Sequence, residues 1–108
     1  MWFFTSAPKA SPEEAAQKVR LDTVGLIDVR SPAEYRSGHA KGATNIPLTE
    51  LDASRVEQLR IFSELYIICH SGARSAIATA KLRSVGISAF TVTGGISAWQ
   101  ALGLPIEQ

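Results

Sequence analysis

The 108-residue sequence has a single cysteine, two histidines and almost no charge surplus, with 11 basic and 10 acidic side chains. One cysteine excludes an internal disulfide and a Cys-x-x-Cys redox pair. Together with two histidines it supplies too few ligands for a structural zinc site. The balanced charge argues against nucleic acid and membrane surfaces as partners. We therefore expect neither a metal nor a cofactor.

The sequence also lacks a hydrophobic run of the roughly 18 residues that cross a bilayer. Met1-Trp2-Phe3-Phe4 is apolar but lacks the basic and extended apolar segments of a signal peptide, so we expect a cytoplasmic protein. A hydrophobic content of 45% is ordinary for a globular domain. We predict one domain over residues 1–108, in which residues 1–10 are an N-terminal extension or a first strand. Trp2 to Phe4 are predicted to form that strand or to cover the core.

The most informative stretch runs from Leu65 to Ser75. Residues 65–68 are a continuous apolar run, typical of a strand buried on both faces of a parallel sheet. A short loop containing Gly72 follows, and residues 73–85 are predicted to be helical. Cys69 therefore lies where a strand ends and a helix begins. Backbone N–H groups at a helix start lack intrahelical partners and favour a nearby negative charge, so we predict a lowered pKa for Cys69.

A lone cysteine is most often a small buried hydrophobic residue. The residues after Cys69 argue against that interpretation because they are unsuited to continuing a core and suited to surrounding an anion. They are His70, Ser71, Gly72, Arg74 and Ser75. We therefore interpret Cys69 as a nucleophile.

Two segments share a helix-start pattern, Ser11-Pro12-Glu13-Glu14 and Ser31-Pro32-Ala33-Glu34. Each places serine at the N-cap, proline at the first helical position and glutamate where it completes a capping box. Helices are predicted from these starts to about residues 20 and 38, and at 52–60, 73–85 and 96–101. Strands are predicted at 24–29, 65–68 and 89–92, with a short one at 43–46.

This alternation of strands and helices predicts a parallel sheet covered on both faces. In such sheets ligands bind at the carboxyl ends of the strands. Three segments follow strand ends, namely Asp28-Val29-Arg30, Cys69 onward and Thr93-Gly94-Gly95. We expect them to converge on one rim. The fourth predicted helix should face the sheet through Ala78, Leu82 and Val85, with Ala76 and Ala80 allowing close approach.

The chain resembles the rhodanese family of single-domain sulfurtransferases in three segments. They are Leu26–Tyr35 with residues 38–47, the Cys69–Ser75 loop, and Gly94–Trp99 with residues 103–105. In this order the three segments are highly specific. The resemblance implies a rhodanese-like three-layer α/β/α fold with a mainly parallel central sheet of about five strands.

The resemblance also implies a thiosulfate sulfurtransferase. The Cys69 thiolate would take the outer sulfur of a small anionic donor such as thiosulfate, and cyanide or a thiol acceptor would discharge the persulfide. Both steps need a low-pKa, partly exposed thiolate and N–H donors around the transferred sulfur. The implied substrate-binding loop consists of His70, Ser71, Gly72, Ala73, Arg74 and Ser75. A protein sulfur acceptor is a further candidate partner.

Two loop residues keep two interpretations each. Arg74 either attracts the anionic donor and stabilises the persulfide, or satisfies the helix start and pairs with an acid. His70 stands where the family often has Arg or Tyr, and it either tunes the thiolate or faces solvent. The two interpretations of Arg74 are equally supported, whereas for His70 the solvent-facing one is favoured.

Four residues outside the loop are implied to support it. Asp28 and Arg30 resemble the family's aspartate and arginine at the end of an early strand, and a buried pair holding adjacent loops is favoured over direct catalysis. Glu34 is a candidate further partner for Arg30. His39 lies in the family's Gly-His segment, which implies a hydrogen-bonded loop anchor rather than a general base.

Two rival functions follow from the same features. Phosphatases and arsenate reductases of related fold use Cys-x5-Arg, in which the arginine closes a ring of amides around the oxyanion. Here the spacing is Cys69-x4-Arg74, which gives a smaller cradle and favours a single sulfur. The other rival is a non-catalytic rhodanese-like module for sulfur carriage or interaction, and retention of the cysteine argues against it.

Overall fold

A computed structural model describes residues 7–108. In chain order the elements are β1 (Lys9–Ala10), α1 (Pro12–Lys18), β2 (Val24–Asp28), α2 (Pro32–Arg36), β3 (His39–Ala40), β4 (Thr44–Asn45), a 3-10 turn (Leu48–Glu50), α3 (Ala53–Leu59), β5 (Glu64–Ile68), α4 (Ala73–Ser84), β6 (Ala89–Val92), α5 (Gly95–Ala101) and β7 (Ile106–Glu107). The first observed strand is β1, whereas the segment predicted at Trp2 to Phe4 lies outside the described residues.

Five strands form one parallel sheet in the order β1-β6-β5-β2-β4, and β3 pairs with β7 in a separate antiparallel ribbon. Strand β5 is central and pairs with β2 on one side and β6 on the other. Asp28 and Ile68 are register partners, so β2 and β5 end at the same level. The predicted parallel sheet of about five strands is confirmed.

Two hydrophobic clusters lie on opposite faces of the sheet. One joins Ile27 and Ile67 to residues of α3 and α4, including Val56 and Leu82. The other joins alternate residues of the same strands to α1, α5 and the β3–β7 ribbon, and it includes the buried Trp99. The predicted three-layer α/β/α fold is therefore confirmed.

The predicted helix starts are present, but the predicted capping box is wrong for α1: there the structure shows only the serine half of the box. The Ser11 side chain accepts the N–H of Glu14, and the Ser31 side chain accepts the N–H of Glu34. In α2 the Glu34 carboxylate also accepts the N–H of Ser31, which completes the capping box. Proline occupies the first position of both helices, where its missing N–H costs nothing because that group would have no intrahelical partner.

The predicted inward face of α4 is partly wrong. Ala78 and Leu82 are buried, but Val85 is 46% exposed because the helix ends at Ser84 and the chain turns at Gly86 with φ +88°. Ala80 is exposed as well. The buried face continues instead through Ser75 and Thr79, polar residues that a search for apolar periodicity passes over. No helix within residues 7–108 has the length and apolar character that crossing a membrane takes.

A buried ion pair closes the carboxyl end of β2. The Arg30 Nη2 donates to Asp28 Oδ2 at 2.8 Å and to the Gly38 carbonyl at 2.7 Å. Arg30 Nε lies 3.0–3.1 Å from both Asp28 carboxylate oxygens. The two residues are 0% and 4% exposed, so each charge is held by its partner rather than by water.

Replacing Asp28 by Asn should destabilise the fold strongly, because it leaves the Arg30 guanidinium buried without a counter-charge. We expect the free energy of unfolding to fall by about 3 kcal/mol or more, measured by urea denaturation. The control is Glu57→Gln, which removes the exposed pair with Arg60 and should cost about 1 kcal/mol or less. Equal losses in the two variants would contradict this account of the buried pair.

Candidate active site

The three predicted segments meet at one rim of the sheet. The Val29 N–H donates to the Ile68 carbonyl, and the Ile46 N–H donates to the Asp28 carbonyl, so the chain leaving β2 is held against β4 and β5. The Asn45 side chain donates to the carbonyls of Asp28 and Arg30 at 2.9 and 3.0 Å. These hydrogen bonds hold the ends of β2, β4 and β5 together at the rim from which the loop after β5 begins.

Cys69 is the residue after β5, and its side chain lies with Ile67 in the hydrophobic cluster on the α3 and α4 face. The residue is only 1% exposed, which corrects the expectation of a partly exposed thiolate. The reason is that the loop folds back over the sulfur. The N–H of Gly72, whose φ is +121°, donates to Cys69 Sγ at 3.0 Å.

A chain of hydroxyl groups leads away from the sulfur. Cys69 Sγ lies 3.4 Å from Ser75 Oγ, which in turn lies 2.6 Å from Thr91 Oγ1 and 3.1 Å from the Gly72 carbonyl. A hydroxyl has one proton, so when Ser75 directs its proton to a thiolate at Cys69, the close Thr91 hydroxyl is the group that donates to Ser75. Thr91 therefore supports the arrangement in which Ser75 donates to the anionic sulfur.

These contacts account for the acidity of the thiol. Burial of the sulfur raises the pKa of Cys69, but hydrogen bonds from the Ser75 hydroxyl and from the N–H groups of Ser75, Gly72 and Ser71 lower it, and the net pKa lies below the ordinary thiol value. Hydrogen bonds to the charged form favour that form. The structure thus supports the lowered pKa that the strand–loop–helix setting predicts.

The start of α5 holds the carbonyl groups of the loop. The Cys69 carbonyl accepts the Ile96 N–H at 2.8 Å, and the His70 carbonyl accepts the Ser97 N–H at 3.1 Å. This contact is possible because residue 95 is glycine: it has φ +57°, and a Cβ there would overlap both carbonyl oxygens. The loop therefore directs two carbonyls away from the sulfur.

Arg74 pairs with an acid, as one of its two interpretations proposed. Its Nη1 and Nη2 donate to Glu34 Oε1 and Oε2 at 2.7 and 2.9 Å. The arginine's hydrogen bonds lower the pKa of Glu34 to about 2. Glu34 is thus a partner of Arg74 and not of Arg30, which corrects the expectation. Arg30 already binds Asp28, while the Ser31 N–H orients the Glu34 carboxylate.

The remaining predicted residues lie at the edge of the site. His70 is exposed, and its Nε2 lies 3.5 Å from the Ser97 hydroxyl. Ala73 is exposed as the first residue of α4. His39 is 8% exposed, its Nδ1 lies 2.9 Å from the Tyr35 carbonyl, and its ring stacks on that of Tyr35. Its Nε2 also lies 3.9 Å from Glu107 Oε1, so His39 connects α2 with β7.

Two cavities flank the loop. The first, here called the Lys9 cavity, has a volume of about 400 Å³ and is bordered by Lys9, Ser71, Gly72, Thr91, Thr93 and Gly94. The second has a volume of about 250 Å³ and includes Arg74 and Glu50 in its lining. Residues 7–108 contain no cluster of His, Cys, Asp or Glu that could hold a metal ion.

Three features of this site were not predicted from the sequence: the roles of Thr91 and Lys9, and the contact of Gly95 with the loop carbonyls. Thr91 is the only polar residue of β6, which is a usable signal for a buried hydrogen-bonding role. Gly95 appeared in the sequence only as a strand end and part of a motif. Lys9 carries no local signal, because its place beside the loop follows from the pairing of β1 with β6.

Comparisons with known proteins agree with this geometry. The family model for the rhodanese-like domain matches residues 11–102. A Bacillus subtilis protein named "Putative sulfur carrier protein YrkF" is 37% identical over 97 residues, covering 88% of this chain and 52% of that protein. This chain thus spans about half the length of that relative.

Two further similarities bear on the family. Thiosulfate sulfurtransferase 16, chloroplastic, of Arabidopsis thaliana is 36% identical over 93 residues, which cover 75% of this chain and 78% of that protein. The crystal structure of thiosulfate sulfurtransferase from Pseudomonas aeruginosa superposes with a TM-score of 0.84 at 27% identity, covering 94% of this chain and 19% of that one. Fold, loop and family match agree, and the chain belongs to the family of rhodanese-like domains.

Proposed function

We propose that this protein is a thiosulfate sulfurtransferase in which Cys69 carries the transferred sulfur. The Cys69 thiolate attacks the outer sulfur of thiosulfate, the S–S bond of the donor breaks, and sulfite leaves with the bonding electron pair. A nucleophilic acceptor, cyanide or a thiol, then attacks the outer sulfur of the persulfide. Cys69 departs as a thiolate and the cycle closes.

The observation that carries this proposal is the set of donors directed at Cys69 Sγ. The Gly72 N–H and the Ser75 hydroxyl contact the sulfur, and Thr91 supports Ser75. Donors placed before the reaction stabilise a developing sulfur anion without reorganising at the moment of transfer. The same donors would stabilise Cys69 both as an attacking thiolate and as a leaving group.

Arg74 and His70 have indirect roles in this proposal. Because Glu34 balances the charge of Arg74 with two hydrogen bonds, the arginine fixes the start of α4 rather than capturing a donor. His70 faces solvent and contacts Ser97. The names of the relatives support sulfur transfer in general, and one of them supports a carrier role. Repeated turnover with thiosulfate and cyanide separates an enzyme from a carrier, which would load once.

A persulfide should form at Cys69. Incubation with thiosulfate should raise the intact mass by one sulfur atom, and cyanide should reverse the change. Cys69→Ser should remain folded and show neither change, because an alkoxide does not form at that position under these conditions. Thiosulfate:cyanide activity retained in this variant would overturn the proposal.

Removing the Ser75 hydroxyl should make the thiol less acidic. We expect Ser75→Ala to raise the pKa of Cys69, because the variant loses the side-chain hydrogen bond that lowers it. Alkylation rates measured against pH report this shift as a displacement of the profile toward higher pH. Thr91→Val should shift the profile in the same direction, since Ser75 loses its donor.

Ser84→Ala is the matched control, because its hydroxyl bonds the Lys81 carbonyl at the exposed end of the same helix. Its alkylation profile should coincide with that of the unmodified protein. Coincident profiles for Ser75→Ala and Ser84→Ala would show that the hydroxyl does not act on the sulfur.

The Arg74–Glu34 pair should stabilise the fold in a pH-dependent way. Folding lowers the pKa of Glu34 from 4.5 to about 2, so the stabilisation is complete above pH 4.5 and is lost as the pH falls through about 2. Its size is about 1 kcal/mol or less, since both side chains are more than a third exposed, at 38% and 36%. Urea unfolding of Glu34→Gln and the unmodified protein should differ at pH 7 and converge near pH 2. A constant difference would contradict this account.

A further inference from the structure

The Lys9 cavity borders the sulfur-binding loop on the side away from the Arg74–Glu34 pair. It is lined by β1, by Ser71 and Gly72 of the loop, by α4, and by Thr91 to Gly94 at the end of β6. Gly72 donates to Cys69 Sγ, and Thr91 reaches the sulfur through Ser75. The cavity is therefore one residue removed from the reacting atom.

The charge of the cavity is positive. Lys9 is the only ionisable residue among the described residues that line it. Its side chain has no carboxylate within 4 Å in residues 7–108, and residues 1–6 contain no acidic side chain. The cavity beside Arg74 differs, because Glu34 balances that arginine and Glu50 adds a second carboxylate to its wall. An anion near the loop is therefore attracted to the Lys9 side.

The size and lining suit an organic molecule rather than thiosulfate alone. A volume of about 400 Å³ falls within the range of roughly 300–1,000 Å³ typical of small-molecule sites. Its lining combines the apolar residues Ala7 and Ala76 with the hydroxyl-bearing residues Ser71 and Thr93. Such a mixture binds a short chain that has both apolar and hydrogen-bonding groups.

We propose that the Lys9 cavity binds the sulfur acceptor, and that this acceptor is a low-molecular-mass thiol carrying a carboxylate. The ammonium group of Lys9 pairs with the carboxylate and directs the thiol toward the loop. This inference rests on the proposed persulfide chemistry for its reactive step, and on the cavity alone for its binding step.

The transfer step balances without a further reactant. The acceptor thiolate attacks the outer sulfur of the Cys69 persulfide, and a new S–S bond forms as the bond to Cys69 Sγ breaks. Cys69 leaves as a thiolate, held by Gly72 and Ser75, and the acceptor becomes a persulfide that keeps the proton of the outer sulfur. No external oxidant or reductant is consumed.

The first test follows discharge of the persulfide by two thiols, glutathione, which carries carboxylates, and 2-mercaptoethanol, which is neutral. Lys9→Gln should slow discharge by glutathione about fivefold, the order expected for one partly screened ion pair, and should leave discharge by 2-mercaptoethanol unchanged. The control is Lys41→Gln, an exposed lysine outside the Lys9 cavity, which should change neither rate. Equal slowing of both thiols by Lys9→Gln, or no slowing, would overturn the inference.

The second test does not need the persulfide. In the Cys69→Ser variant, S-methylglutathione should shift the amide resonances of Ser71, Gly72 and Thr93 in NMR titrations, and the added Lys9→Gln change should weaken this binding while Lys41→Gln should not. Binding without persulfide formation would sustain the cavity and reject the proposed function. Persulfide formation without binding, or binding insensitive to Lys9, would reject the cavity and leave the proposed function standing.

Discussion

The site depends on the direction of the peptide groups in the loop after β5. A loop that stabilises a sulfur anion must turn its N–H groups toward the sulfur and its carbonyl groups elsewhere, and a buried carbonyl needs a donor of its own. The first N–H groups of α5 supply those donors to Cys69 and His70. Helix α5 can approach that closely only because residue 95 has no side chain. The acidity of the thiol therefore originates partly in helix α5, which acts through the carbonyl groups of the loop.

The charged residues around this loop are arranged in pairs. Asp28 holds Arg30 beneath the rim, and Glu34 holds Arg74 beside it. Because a carboxylate balances each guanidinium group, the positive potential at the sulfur comes from oriented peptide and hydroxyl dipoles. Salt screens these fixed dipoles less than it screens exposed charges. Lys9 has no such carboxylate partner among residues 7–108, so the two sides of the loop differ in charge.

Much of this architecture could be predicted from local sequence. The local signals act within a few residues of their own positions: the apolar run before Cys69, the serine and proline at the helix starts, and the glycine of the loop. The partners of Arg74 and Ser75 could not be predicted, because Glu34 and Thr91 lie 40 and 16 residues away in sequence. The inward face of α4 was misjudged because buried polar residues such as Ser75 interrupt the apolar period.

The alternation of side chains along β5 places a constraint on its length. Leu65, Ile67 and Cys69 belong to the cluster on the α4 face, whereas Tyr66 and Ile68 belong to the cluster on the opposite face. Adding or removing one residue in this strand would carry the thiol to the wrong side of the sheet. Two residues would restore the side but displace the strand end by about 7 Å. Loops elsewhere in the chain accommodate insertions and deletions. The same changes in the central strand β5 are incompatible with the chemistry at Cys69, because they displace its thiol.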